Sequence, residues 1–531
     1  MRRPAAPTAI IPAPMLQRVR TSIPAVLAVA ALAYLVIGYS AGRAVGEGGN
    51  PEVFIHAGQA WLAPDLLPKG AYHETSTGYD GQFVFYLAQD LLLDGRAASR
   101  DQAQSDHIDD VPYRYQRILL PALGWVLSAG GDPDLLVWAL PLINLLAVLA
   151  ATFALARVLV RHGHTPWIAL GYALSLGVVV GVVNDLSDPL AASLFVLGVA
   201  WWLDGRTWPA VGVLAACLLA RELYVVPVAV IAAVELVRRR REALPWLVPL
   251  AVLGLWQLYL RVALTGSPTE GVHKPSVVPL RGAVQKAREV LRQDILGAAH
   301  WELLCVGVLL LVWLAFALAG VKPLAALVRD RRPADATPAR MFPLVALGSV
   351  LLLPFLSLDL WRNIPSYSRY AAPAAGMLVL AYALRRTWWS IALLGAIGAL
   401  TLTNPVVALV PSHQHAQVRP AAAPAAGAGR LAPVQACLQA AGLRSAEVRD
   451  QAPAGAIAVT VTLAGGLQAR LLIFGSAGEA ARYEAGAERL ARAQGRGATD
   501  TVERHGALVM VAPRAVGAAE RATLARCANA G

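Results

Sequence analysis

The chain has 531 residues, of which 57% are hydrophobic and only 15% are charged. Soluble domains carry about 25% charged residues, so the composition argues against a soluble fold. A net charge of +12 would suit nucleic acid in a soluble protein, but here much of the arginine sits in short loops and tails beside apolar runs and no basic run with stacking aromatics lies in a soluble domain, which argues against that class.

In chain order, the tail 1–20 is basic, and the run TSIPAVLAVAALAYLVIGYS (21–40) has about the length that crosses a bilayer. No small-residue cleavage site follows it, so it reads as an uncleaved span with its N-terminus inside. Residues 41–117 form an outer loop. Further apolar runs cover 134–156, 166–183, 186–203, 208–220, 222–237, 244–264, 301–320, 341–358, 367–384 and 388–410. Alternating them across the membrane puts Arg157, Arg161, the run Arg238 to Arg241, Lys322, Arg329, Arg331, Arg332, Arg385 and Arg386 on one side, as the positive-inside rule requires. The expected fold is therefore an all-α polytopic membrane bundle of about eleven spans. Residues 208–237 read as one long span or two short ones; a pair broken near Arg221 is what places the arginine run inside. ILLPALGWVLSAGG (118–131) is too short for a span and reads as a partly inserted helix.

After the Ala/Pro/Gly linker 411–432, residues 433–531 read as a small extracytoplasmic α+β domain. Its expected elements are a helix at 433–442, strands at 456–463 and 468–474, a helix at 476–493, a strand at 506–512 and a helix at 515–528. Cys217 and Cys305 lie in apolar runs as packing residues, whereas Cys437 and Cys527 lie near the two ends of this tail. A disulfide between Cys437 and Cys527 is expected if the tail lies outside the cytoplasm.

Polar groups at the bilayer carry most of a membrane protein's mechanism. In GYDGQFVFYLAQD (78–90), Asp80 suits a general base above the membrane. The plainer alternative is a turn at Asp80-Gly81 with its aromatics packing the loop. Arg114 and Arg117, flanking Tyr115 and Gln116, suit a phosphate or else snorkel to head groups. Ser187 or Asp188 before Pro189 reads as a helix N-cap. Asn184 and Asp185 lack that explanation and are expected to reach Asp80's cavity, as metal ligand, sugar-hydroxyl acceptor or second carboxylate. Arg221 and Glu222, adjacent within an apolar run, do not face each other and each needs another partner. Asp359, Arg362, Arg369 and Tyr370 lie on the outer side, with Arg369 placed to clamp a lipid-linked phosphate or to anchor at the interface. His273, Lys274 and RGAVQKAREVLRQDI add basic charge to that face.

GYDGQF, DVPYRYQRILLP, the Arg221-Glu222 pair in a broken span and SRYAAP together resemble polytopic membrane proteins of bacterial cell-surface glycopolymer formation. Those in turn look like GT-C glycosyltransferases, and the resemblance covers about 20–410. It implies a GT-C-like bundle, a polyprenyl-phosphate sugar donor, a cell-envelope glycan or protein acceptor, and transfer with inversion. It also implies the bacterial cytoplasmic membrane; the alternation of the runs is what puts the C-terminal domain outside. Asp80 matches the first-loop catalytic carboxylate, and Arg369 and Tyr370 match the late outer motif. Tyr79, Gln82, Arg114, Tyr115, Arg117, Asp185, Arg221 and Glu222 complete the expected substrate-binding set. Phe83, Phe85 and Tyr86 would seat the loop on the bilayer or stack on a sugar. No paired acid stands at Asp80, with Glu74 and Asp90 the nearest alternatives, so a divalent metal requirement stays open. The competing readings are a flippase of lipid-linked sugars and a non-catalytic envelope scaffold.

Overall fold

The computed structural model describes residues 13–44, 51–58, 61–69, 71, 78–265, 278–291, 299–329, 337–362, 364–370, 372–403, 428–447, 457–463, 468–474, 476, 480–481, 500–513 and 516–529. It divides into two compact units, Met1–His413 and Gln414–Gly531.

The first unit is helical. In order come α1 (Ala13–Ala44), α2 (Asp80–Gln89), α3 (Val111–Tyr115), α4 (Leu119–Leu127), α5 (Pro133–Arg161), α6 (Leu170–Ala173), α7 (Leu176–Val182), α8 (Ser187–Leu203) and α9 (Thr207–Ala220). Then follow α10 (Val225–Arg239), α11 (Val248–Ala263), α12 (Arg281–Leu291), α13 (Ala299–Arg329), α14 (Pro338–Val350), α15 (Leu358–Arg362), α16 (Ile364–Tyr370), α17 (Ala372–Arg385) and α18 (Trp388–Thr403).

Among the described residues, five stretches are long and apolar enough to cross a membrane: Ser22–Ser40, Pro133–Arg161, Glu242–Ala263, Leu303–Ala326 and Pro338–Phe355. The expectation of about eleven spans does not hold, and no GT-C arrangement follows from these helices. The reason is continuity. Helices α8, α9, α17 and α18 have 17, 14, 14 and 16 residues. At the helical rise they reach about 21–26 Å, short of a hydrocarbon core of about 30 Å. The run 166–183 is divided between a 3₁₀ turn, α6 and α7, with Ser175 extended at ψ 143° before α7. Every residue of α7 is buried. Such a run is apolar because protein surrounds it, and its hydropathy is that of a span. Helix α8 packs against α5, α7, α9 and α17 and is itself mostly buried.

Residues 208–237 do form two helices. Helix α9 ends at Ala220, Arg221 is extended (φ −158°, ψ 118°), and a 3₁₀ turn over Glu222–Tyr224 leads into α10. The expected short helix within 118–131 is the nine-residue α4, closed by Ala129, Gly130 and Gly131, all at positive φ.

Two glycines permit the contacts that set the site. A Cβ on Gly81 would lie 2.3 Å from the Asn184 carbonyl oxygen, so α2 can rest on the turn before α8. A Cβ on Gly177 would lie 2.1 Å from the Ser368 carbonyl oxygen, so α7 can press against α16 next to Arg369.

The second unit is α+β, as expected. Its elements are α19 (Ala428–Ala440), β1 (Arg444–Glu447), β2 (Ile457–Thr462), β3 (Gln468–Ile473), β4 (Asp500–His505), β5 (Leu508–Pro513) and α20 (Ala518–Asn529). The sheet is antiparallel in the order β1-β2-β3-β5-β4, with Leu471 opposite both Val459 and Met510. These alternate side chains point to one face and pack with Val434, Leu438 and Leu524. Cys437 on α19 and Cys527 on α20 form the expected disulfide. Strands β1 and β4 were not expected. Both are sheet edges with polar sequences, RSAE and DTVERH, and edge strands gain little from apolar alternation. Helix α19 begins inside the stretch assigned to the linker; most of the expected helix 476–493 lies outside the described residues.

Candidate functional site

Asp80 opens α2 as its first acidic residue, which favours an anion at that helix end. Phe83, three positions on, shares its face. Arg114 meets both: its Nη1 donates to Asp80 Oδ1 at 2.7 Å, and its guanidinium lies 4.2 Å from the Phe83 ring centroid. Asp110 caps α3 by accepting from the Tyr113 backbone N–H at 2.9 Å, which fixes where Arg114 starts. Asp109 then holds the rest of the Arg114 fork, accepting from Nε at 2.8 Å and Nη2 at 2.7 Å. On the other side of Asp80, Arg369 Nη1 donates to Oδ2 at 2.5 Å. Asp80 thus lies between two arginines contributed from 34 and 289 residues away in the chain. Burial alone would raise its pKa, but Arg114 and Arg369 outweigh that and hold the carboxyl well below the usual range. It is ionised at neutral pH and, in this paired state, weakly basic.

Two further pairs complete the cluster. Arg117 donates to Glu222 from Nε at 3.3 Å and from Nη2 at 3.2 Å, and Nη2 also donates to the Tyr113 hydroxyl at 2.6 Å. Arg221 pairs with Asp188, both side chains buried at 3% and 4% exposure. The Arg221 guanidinium lies 4.8 Å from the Tyr370 ring, and that of Arg369 lies 5.7 Å from the Tyr79 ring. Arg221 and Glu222 indeed take separate partners, because the extended backbone at Arg221 turns the two side chains apart.

Two clefts adjoin these residues. One is bordered by Asp80, Phe83, Arg114, Arg117, Ser187 and Asp188. The other is bordered by the polar side chains of Arg221, Arg369 and Tyr370 and by the apolar ones of Tyr224, Pro227 and Val350. Of the two arginines that border the second cleft, Arg221 Nη2 and Arg369 Nε are buried without a hydrogen-bond partner among the described residues.

Several expected roles change. Asp188 does not cap α8; that helix has no side-chain cap, and Asp188 is the counter-ion of Arg221. Asp185 does not border Asp80's cleft. It is fully buried, at φ 47°, with neither carboxyl oxygen bonded among the described residues, and burial pushes its pKa well up. Tyr115 is structural: its hydroxyl donates to the Leu91 carbonyl, and its ring lies 5.8 Å from that of Trp256. Gln82 is also structural, accepting from the Gly58 N–H at 2.9 Å. Phe85 and Tyr86 are fully buried in the helical core, so they neither seat the loop on a bilayer nor meet a sugar; only Phe83 borders the cleft. Asp90 is no partner for Asp80, because it accepts from the Asp94, Ala97 and Ala98 N–H groups and so closes its own turn. Glu74, His273 and Lys274 lie outside the described residues, and of the Asp359 and Arg362 side chains nothing is described.

Asp109 and Tyr113 were missed. Signals existed: Tyr113 stands four residues before Arg117, and Asp109 five before Arg114, around a Pro that starts a short helix. Each carboxylate of the cluster is engaged by an arginine, which fits a metal poorly. Among the described residues no group of three or more His, Cys, Asp or Glu is gathered to hold one. Comparison with protein-family models, with curated proteins and with solved structures returned no match.

Proposed function

We propose that the chain is a membrane glycosyltransferase. It moves a sugar from a polyprenyl-phosphate donor to a cell-envelope glycan or protein acceptor, with inversion, at the outer face of the bacterial cytoplasmic membrane. The observation that carries this reading is Asp80 held between Arg114 and Arg369 beside an apolar cleft headed by two arginines with spare donors.

Such a reaction needs three things in one place. A lipid phosphate needs cationic forks and an apolar path; Arg221 and Arg369 supply the forks, and Tyr224, Pro227 and Val350 border the path. The acceptor hydroxyl needs a base, and Asp80 is an ionised carboxylate next to Arg369. In the step, the acceptor oxygen attacks the anomeric carbon and a carbon–oxygen bond forms. The bond from that carbon to the donor phosphate oxygen breaks, and the phosphate leaves with the electron pair. Asp80 takes the acceptor's proton. Arg369 and Arg221 offset the charge gathering on the leaving phosphate. Proton transfer contributes about 10²–10⁴-fold, and the remainder comes from holding donor and acceptor together.

The test is transfer from radiolabelled polyprenyl-phosphate sugars by purified protein in lipid, wild type beside Asp80→Asn. Wild-type transfer that vanishes in a folded Asp80→Asn supports the enzyme and the base. Equal transfer by both keeps the enzyme and removes Asp80 from that role. Donor binding without any transfer overturns the enzyme reading.

A further inference from the structure

The two clefts share a wall, and two ion pairs make it. In each pair the arginine borders the apolar cleft and the carboxylate borders the facing one: Arg369 with Asp80, and Arg221 with Asp188. The arginines do not spend all their donors on this wall, since Arg221 Nη2 and Arg369 Nε are unpartnered among the described residues although the two residues are 2% and 7% exposed. On the facing side, Ser187 Oγ is buried and unpartnered in the same sense.

The facing cleft is poor in free donors. Arg114 gives its fork to Asp109 and Asp80, and Arg117 gives its own to Glu222 and Tyr113. What the cleft offers is acceptors: the carboxylates of Asp80 and Asp188 and the lone pairs of Ser187. Its natural ligand therefore brings hydroxyl hydrogens and no charge.

We infer that the facing cleft is a subsite for a neutral polyhydroxyl acceptor, bound by Asp188 and Ser187 beside Asp80, and that an anion in the arginine cleft unlocks it. This rests on the proposed function and goes beyond it by assigning the acceptor's chemistry and the order of binding. A phosphate on Arg221 and Arg369 competes with the two carboxylates for the same guanidinium groups. Asp80 keeps Arg114, but Asp188 has only Arg221 as an ion-pair partner among the described residues. Asp188 is therefore the carboxylate most changed. Empty of anion, the wall stays closed and the acceptor has no carboxylate to bind.

The experiment uses the full chain in lipid nanodiscs with farnesyl phosphate as the anion, and with farnesol and inorganic phosphate as separate controls. Thermal shift reports anion binding. Carbodiimide-and-amine labelling, read by peptide mass spectrometry, reports the availability of Asp188 and Asp80. Saturation-transfer NMR with methyl glucoside reports acceptor binding. Expected is a several-fold rise in Asp188 labelling with farnesyl phosphate, a smaller rise at Asp80, and glucoside binding only when that anion is present. Ser187→Ala weakens glucoside binding while leaving the anion-induced rise at Asp188 intact. A rise with inorganic phosphate equal to that with farnesyl phosphate places the recognition in the anion alone; a rise only with farnesyl phosphate places it in the lipid-linked form. Both outcomes uphold the coupling. Anion binding without any change at Asp188, or glucoside binding indifferent to anion, overturns it while sugar transfer by the wild type keeps the proposed function standing. Failure of farnesyl phosphate to bind takes down both.

Discussion

Asp80 and Asp185 are two buried or half-buried carboxylates with opposite electrostatics, and their pH behaviour separates them. For Asp80 the folded pKa lies below the unfolded one, so its contribution to stability is fully present above about pH 4 and is lost as pH falls through the lower folded value. Asp80→Asn is expected to lower the melting temperature at neutral pH, where the lost contribution was fully present, and to approach wild type as pH falls, which flattens the acid side of the profile. Asp185 is a carboxylic acid whose folded pKa is raised, with burial the cause. Between the ordinary carboxylate value and its raised one, the unfolded chain releases a proton that the folded chain keeps, so stability falls with rising pH by up to about 1.4 kcal/mol per unit. Asp185→Asn, neutral at every pH and tolerant of the positive φ, is expected to stabilise more at pH 7 than at pH 5; a constant difference across that range would show that Asp185 is ionised in the fold. The Arg221–Asp188 pair allows a sharper test. Removing either partner alone strands a buried charge and is expected to cost about 3–5 kcal/mol, whereas Arg221→Met with Asp188→Leu together costs less than the sum. Chemical denaturation of the single and double variants measures the coupling.

At the scale of elements, the site depends on where helices stop and how closely they approach. The break between α9 and α10 turns Arg221 toward Asp188 while Glu222 meets Arg117. Gly177 lets α7 touch the backbone of α16 one residue from Arg369. Gly177→Val forces these helices apart, and overpacking of this kind costs about 1–3 kcal/mol. If the proposed transfer is the reaction, the expected signature is functional as well as structural: a raised KM for its lipid-phosphate donor, because Arg369 shifts, with the acceptor KM less affected. Steady-state kinetics in lipid would read it, and an unchanged donor KM in a destabilised variant would confine Gly177 to packing.

For the molecule as a whole, the two units are stabilised by different means. The helical unit buries a long continuous core that runs through α5, α8 and α17. The C-terminal unit is small and has a disulfide between residues 90 apart in sequence. Closing a loop of that length restricts the unfolded chain, and losing such a link from a small domain costs about 2–5 kcal/mol. Cys437→Ser is expected to reduce hydrogen-exchange protection across β2 and β3 and to leave α5 and α8 unchanged; equal losses in both units would mean that they unfold together.

The sequence by itself determined the division into an apolar helical part and an α+β tail, the disulfide, the broken pair at Arg221 and the choice of Asp80, Arg117, Arg221 and Arg369 as candidate site charges. These are legible because composition, cysteine placement and a charge inside an apolar run depend on neighbours along the chain. Tertiary structure alone decided that Asp80 sits between Arg114 and Arg369, that Asp188 answers Arg221 instead of capping α8, that Tyr115 and Gln82 hydrogen-bond to backbone, and that Phe85 and Tyr86 pack in the core. It also decided which apolar runs are long continuous helices and which are short and enclosed by protein, so that among the described residues five stretches, not about eleven, are long and apolar enough to cross a membrane. The physical reason is the same throughout: a charge or an apolar run carries its own chemistry in sequence, but its partner is fixed by a close approach of distant backbones, as at Gly81 and Gly177, and no local pattern records that distance.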